Sequence, residues 1–212
     1  MNALSPIPAP MSAIETAALA LALPDNLAFD DWLAQGRALA LLLRYDPRTG
    51  KLYWRRRPRH LFKSDQSWRT WNTRYADTEA FTAQETSGYH RGAIFGKLFK
   101  AHRVIWAIVH GEWPKHNIDH IDGNPSNNRI ENLRDVPQSE NVKNLSRASH
   151  NTSGITGVHW CNTWNRWIAK IKINGKTKTL GQFKNREDAI AARAKANELY
   201  GFTPRHGQEK VA

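Results

Sequence analysis

The sequence predicts an α+β fold built from two small modules in series. Three observations carry this reading. Residues 118–144 read as two short extended pieces followed by a helix, a ββα unit. Residues 167–180 alternate apolar and basic side chains, break at Asn174-Gly175 and resume as a second strand, with a helical stretch after them. Between the two, a Ser/Asn/Thr/Gly cluster at 149–154 marks a linker.

A chain of 212 residues holds one to three small domains. Forty per cent of it is apolar, which permits a packed core, and nine tryptophans give small cores large buried area per residue. The net charge of +12 points to nucleic acid, where each phosphate neutralised releases condensed counterions. A membrane partner is not expected: no run of 18 apolar residues occurs, and the basic residues do not line one amphipathic helix. The apolar AALALALP near the start lacks a basic residue before it and a cleavage site, so it is not read as a signal peptide. Cys161 stands alone, which excludes an internal disulfide and a four-cysteine zinc site and fits a reducing cytoplasm.

Residues 1–26 carry Pro6, Pro8 and Pro10 and read as disordered, although residues 12–23 could form a short helix. Residues 27–45 read as a helix, with Asp30 and Asp31 in its first turn and Phe29, Trp32, Leu33, Leu39, Leu42 and Leu43 near the helical period. Asp46 to Gly50 is a turn and Lys51 to Arg55 a strand. Residues 55–87 are basic and aromatic with few aliphatic residues, and read as a long irregular insertion. Gly88 to Phe99 reads as a hairpin with Gly92 and Gly96 near its turns, and Ala101 to Gly111 as a compact apolar helix ended by Pro114.

The stretch IDHIDGNPSNNRIENLRDVPQSENVKN holds adjacent Asp119 and His120, then Asn132 and Asn141. The chemistry suits phosphodiester hydrolysis. Asp119 and Asn141 offer oxygen donors, which suit hard magnesium or manganese better than zinc. An unperturbed imidazole titrates near ~6.5, so His120 can take a proton from water at neutral pH. Asn132 is placed to hold either a backbone group or the imidazole. Asn124, Asn127 and Asn128 read as turn residues, His102 as a structural neighbour of the motif, and Arg134 as a phosphate ligand.

With DHIDGN, NNRIENLR and SEN, and with YDPRTGKLYW, AHRVIW and HGEWP upstream, residues 43–145 resemble the HNH endonucleases of phages and mobile introns. The family's third letter is often His and here is Asn141, as in the phage intron branch. The resemblance implies a ββα-metal nuclease unit in which His120 is the general base and Asn132 orients it. It assigns the metal to Asp119 and Asn141.

Residues 154–203 resemble the DNA-binding domain of plant Apetala and ethylene-response-factor proteins, on Gly157-Val158, Trp164-Asn165-Arg166-Trp167, Ala169, Leu180-Gly181, Phe183 and the alanine-rich helix. This implies a three-stranded antiparallel sheet packed on one helix, with the sheet entering the ~12 Å major groove. His159 and Trp164 match positions that touch DNA in that family. The alternation of Trp167, Ala169, Ile171 and Ile173 with Ile168, Lys170 and Lys172 predicts a sheet apolar on one face and basic on the other. Lys176 and Lys178 on the neighbouring strand are expected to join that basic face.

The expected organisation is therefore a disordered segment 1–26, a nuclease domain 27–148 with its ββα core at 117–146, a linker 149–153, a DNA-binding domain 154–203 and a tail 204–212. The expected activity is metal-dependent hydrolysis of double-stranded DNA, of nickase or homing type, in a bacterial host cytoplasm, with one magnesium or manganese ion and no structural zinc. The alternative is a non-catalytic DNA-binding regulator on the same fold. All four site residues precede the linker, so cutting is expected to survive loss of residues 152–212. Target site and oligomeric state are not legible.

Overall fold

The computed structural model describes residues 36–209. The segment 1–26, the first part of the expected helix (27–35) and residues 210–212 lie outside the described residues. The chain divides into two compact units. One runs to His120 and resumes over Pro125–Asp135; the other comprises Ile121–Asn124 and the chain from Val136 onward. The division falls within the stretch that the sequence assigns to one nuclease domain.

In the first unit, helix α1 (Gly36–Leu42) hands over to strand β1 (Leu43–Asp46). The helix expected to reach residue 45 therefore stops at Leu42. The turn after Asp46 folds β2 (Lys51–Trp54) back on β1, pairing Leu43 with Trp54 and Tyr45 with Leu52. Strand pairing satisfies the backbone of residues 43–46, and Leu43 stays buried. β3 (Glu79–Ala80) completes this antiparallel sheet. A second sheet holds β4 (Ala83–Gln84), β5 (His90–Ile94) and β6 (Lys97–Lys100). Gly92, expected near a turn, lies within β5 beside the Phe81 ring. Helix α2 (Asp65–Tyr75) lies between β2 and β3 in the chain, and helix α3 (Ala101–His110) follows β6 and buries one apolar face. α3 packs on α1, with Leu39, Leu42, Val104, Ile105 and Ala107 sealed between them. Each large aliphatic side chain buried there contributes roughly 1.5–3 kcal/mol. Gly111 caps α3, so the helix ends before Pro114 is reached.

The stretch 55–87 is not irregular. Helix α2 (Asp65–Tyr75) occupies its middle, capped by Ser64, whose hydroxyl accepts from the Ser67 amide at 3.2 Å. Trp68, Trp71 and Tyr75 recur at helical spacing, and their apolar surface comes from rings rather than aliphatic chains. Buried Arg57 anchors the segment. Its guanidinium lies 3.9 Å from the Trp71 ring centre, 4.6 Å from Phe95 and 5.0 Å from Trp54. Asn72, also buried, accepts from the Arg57 amide at 2.8 Å and donates to its carbonyl at 3.1 Å. Burial pulls the Arg57 pKa down to about 10, still far above neutrality.

In the second unit, β9 (Val158–Cys161), β10 (Arg166–Ile173) and β11 (Lys176–Phe183) form an antiparallel sheet in the order β11-β10-β9. A short helix α4 (Gln138–Asn141) precedes this sheet in the chain, and helix α5 (Arg186–Leu199) packs on β10 and β11. Val158, Ala169 and Ala189 are the buried centre, flanked by Ile155, Trp167, Leu180 and Phe183. Small residues at 169 and 189 let helix and sheet approach closely. Asn174 and Gly175 take φ of 50° and 79°, the doubly positive pair that a two-residue hairpin turn requires. Asn185 sits at the α5 N-cap, but its side chain contacts Asp188 rather than a helix amide.

Candidate active site

Strands β7 (Asn117–His120) and β8 (Leu133–Val136) form a two-stranded sheet, with a 3-10 turn at Ile130–Asn132 leading into β8. The Asp135 carboxylate accepts from the backbone amides of Lys115 and His116 at 2.7 and 2.8 Å. That grip fixes the chain as it enters β7. Asp119, His120 and Asn132 are all buried in the first unit.

His120 is 3 % exposed. Its Nε2 lies 3.0 Å from Oδ1 of Asn128, itself buried. A carboxamide oxygen at that distance accepts from Nε2–H, which leaves the ring's lone pair on Nδ1. The rings of His102 and Tyr89 flank the imidazole, with centroids 5.2 and 5.7 Å away. Tyr89 also meets His102 edge to face at 5.0 Å. Burial drives the His102 pKa down to about 3, helped by His120, Lys100 and Arg103, so this second imidazole is neutral at physiological pH. His102 is thus a packing partner of His120.

Asn132 donates from Nδ2 to the Asn127 carbonyl at 2.8 Å. Of the two roles the sequence leaves open, this contact is the backbone one, and it braces the loop that carries Asn128. Tyr45 braces the same loop from β1: its hydroxyl accepts from the Ile130 amide at 2.9 Å and donates to the Asn128 carbonyl at 3.2 Å. Burial lifts the Tyr45 pKa to about 12, so it stays a donor. Sequence reasoning missed Tyr45 and left Asn128 as a turn residue. Tyr45 lies more than 80 positions from its partners, so no local spacing reveals it.

Arg134 was expected on phosphate. It instead donates from Nε and Nη2 to Oδ2 of Asp119, at 2.9 and 2.6 Å. Both groups sit on the β7–β8 sheet, and the pair sets the direction of the Asp119 carboxylate. Asn141 belongs to the second unit. It ends helix α4 (Gln138–Asn141), is half-buried, and its amide donates to the Pro137 carbonyl at 3.0 Å. Among the described residues, no group of three or more His, Cys, Asp or Glu side chains is placed to hold a metal ion. Of the two residues that the sequence assigns to a metal, Asp119 offers a carboxylate in the first unit and Asn141 a carboxamide in the second. Such hard oxygens fit magnesium or manganese.

The C-terminal sheet corrects one expectation. Residues directly opposite in antiparallel strands share a face. Lys176 is opposite Ile173 and Lys178 opposite Ile171, whereas Lys170 and Lys172 are opposite Thr179 and Thr177. Lys176 and Lys178 therefore do not join the face of Lys170 and Lys172. Lys178 Nζ instead approaches the Tyr200 hydroxyl at the end of α5, 3.2 Å away. His159 pairs with Ile168 and so shares the face of Lys170 and Lys172. His159, Lys172 and Trp164, the last in the turn between β9 and β10, are exposed.

A family model described as HNH endonuclease matches residues 99–143, the stretch from the end of β6 through α4 and just beyond. The chain is also similar to Protein 3.8 of Escherichia phage T7. The two are 37 % identical over 83 residues, which cover 39 % of this chain and 69 % of the phage protein. No solved structure matches. Among the described residues no helix is long and apolar enough to cross a membrane.

Proposed function

The chain belongs to the HNH endonuclease family, and from that premise we propose that it is a metal-dependent endonuclease that nicks double-stranded DNA. The observation that carries this reading is the setting of His120: a buried imidazole next to Asp119 on β7, with Nε2 held by Asn128. In the proposed reaction, Nδ1 of His120 takes a proton from water as the water oxygen attacks phosphorus. The bond from phosphorus to the leaving oxygen breaks, and that oxygen is protonated from solvent. Asn128, Asn132 and Tyr45 hold the imidazole and its loop. Asp119, aimed by Arg134, and Asn141 would hold a magnesium or manganese ion. When bound, that ion supplies Lewis-acid polarisation of the phosphate and stabilises charge on the leaving oxygen.

One such site serves one strand at a time. Supercoiled plasmid incubated with the protein and magnesium is expected to yield nicked circles before any linear product, and a chelator should stop the reaction. Plasmid that stays supercoiled with both magnesium and manganese would exclude the nuclease reading.

The C-terminal sheet is proposed to bind duplex DNA through His159, Trp164, Lys170 and Lys172. Lys176 and Lys178 lie on the other face, with Ile173 and Ile171, and are left out of that proposed contact. Replacing Lys170 and Lys172 together by alanine should make log affinity less steep in log salt by up to about 1.8, at roughly 0.9 per phosphate contact. The same change at Lys176 and Lys178 should leave the slope unaltered. Binding is measured without metal across a salt series, and equal slopes for the two double variants would refute the assignment of faces.

A further inference from the structure

Outside the residues already discussed, one guanidinium in the second unit joins two pieces of the nuclease motif. Arg205 lies in what the sequence reads as a tail. It is half-buried and donates from Nε to the Asp122 carbonyl at 2.8 Å and from Nη1 to the Asn144 carbonyl at 2.5 Å. Its Nη2 reaches the Ser146 hydroxyl at 2.8 Å and the Gly123 carbonyl at 3.4 Å. The first of these segments starts two residues after His120; the second starts three residues after Asn141. A planar fork of five donors is suited to gripping several carbonyls at once, which an ammonium cannot do.

Neighbouring contacts repeat the pattern. Thr203 Oγ1 donates to Asn144 Oδ1 at 2.8 Å, and Asn144, itself buried, donates from Nδ2 to the Ile121 carbonyl at 3.4 Å. The Gly207 amide donates to the Leu145 carbonyl at 2.9 Å, and the Arg147 amide to the Gln208 carbonyl at 2.7 Å. Gly123 has φ of 69°, and a Cβ there would overlap the Arg205 guanidinium. The loop is thus shaped around this side chain.

We propose that Arg205 is a positioning residue for the nuclease reaction, tying the loop that leaves His120 to the segment that leaves Asn141. This rests on the roles proposed above for those two residues. A reacting group needs to be held to within about 0.5 Å, and the Asp122 and Gly123 carbonyls that Arg205 grips follow His120 closely in the chain. Residues 152–212 are then not dispensable for cutting, in contrast to the expectation drawn from the sequence.

The test compares full-length wild type, Arg205→Ala and Arg205→Lys. Urea midpoint, metal-free duplex affinity, hydrogen exchange of the 121–124 amides, and nicking at saturating DNA and magnesium are measured for each. Arg205→Ala is expected to remain folded and bind duplex as wild type does, to exchange faster at 121–124, and to nick about 10²-fold more slowly, the scale of a misplaced reacting group. Arg205→Lys, which reaches fewer of the acceptors, should fall between. A folded Arg205→Ala that nicks at the wild-type rate overturns the proposal. So does loss of the folded state in both variants, which would make Arg205 a folding staple. If wild type nicks, either result condemns this inference alone; if wild type does not nick, the nuclease reading fails and takes this one with it.

Discussion

Replacing His120 by alanine should slow DNA cleavage by about 10²–10⁴-fold, the usual contribution of a general base, while metal-free affinity for duplex stays near wild type. The imidazole acts on a proton in the transition state and not in docking. Alanine also removes a ring that packs against His102 and Tyr89, so a companion variant, His120→Gln, refills most of that space without a basic nitrogen. The two should be equally slow, because bulk is restored and basicity is not. Nicking of supercoiled plasmid in a time course gives the rate, and a gel shift in chelator gives the affinity. A rate above about a tenth of wild type in either variant would mean that another group takes the proton, since even a modest general base is worth more than that. A parallel loss of affinity and rate would point instead to a role in binding.

The parts of this candidate site that the sequence proposes are those written locally. Asp119 and His120 are neighbours on one strand, and Asn132 and Asn141 lie within a single short stretch whose strand, turn and helix signals are close together. The supports were not legible, because each crosses a long interval. Tyr45 reaches residues 128 and 130, and Arg205 reaches residues 122, 123, 144 and 146. Helix α2 was missed for a different reason. Its apolar positions are rings and its anchor is a buried arginine, so a search for aliphatic periodicity passes over it. The face of Lys176 and Lys178 could have been read correctly. A two-residue loop at Asn174-Gly175 pairs residue 173 with 176, and the pleat then puts both lysines opposite the apolar isoleucines. Arg134 shows the converse limit: an arginine read as a free cation is committed to a carboxylate that lies 15 positions away in sequence and on the adjoining strand.

Acid should destabilise this protein well before its carboxylates titrate, and His102 is the reason. In the folded chain its pKa is about 3, against an ordinary value of 6.5, because the ring is buried among His120, Lys100 and Arg103. The unfolded chain therefore takes up a proton as pH falls through 6.5, and the folded chain does not until pH nears 3. The stabilisation from keeping His102 neutral is fully present above pH 6.5 and is lost progressively between 6.5 and 3, at about 1.4 kcal/mol per pH unit. His206 adds to the same trend in the second unit, where burial and the charge of Arg193 lower its pKa to about 4. His102→Phe keeps a ring against Tyr89 and His120 but cannot titrate. Urea midpoints measured at intervals from pH 7.5 to 4.5 should fall steeply for wild type and less steeply for the variant, the difference approaching 1.4 kcal/mol per unit below pH 6. Parallel curves would show that His102 takes up its proton in the fold as readily as in the unfolded chain, and its burial beside His120 would then not be what keeps it neutral.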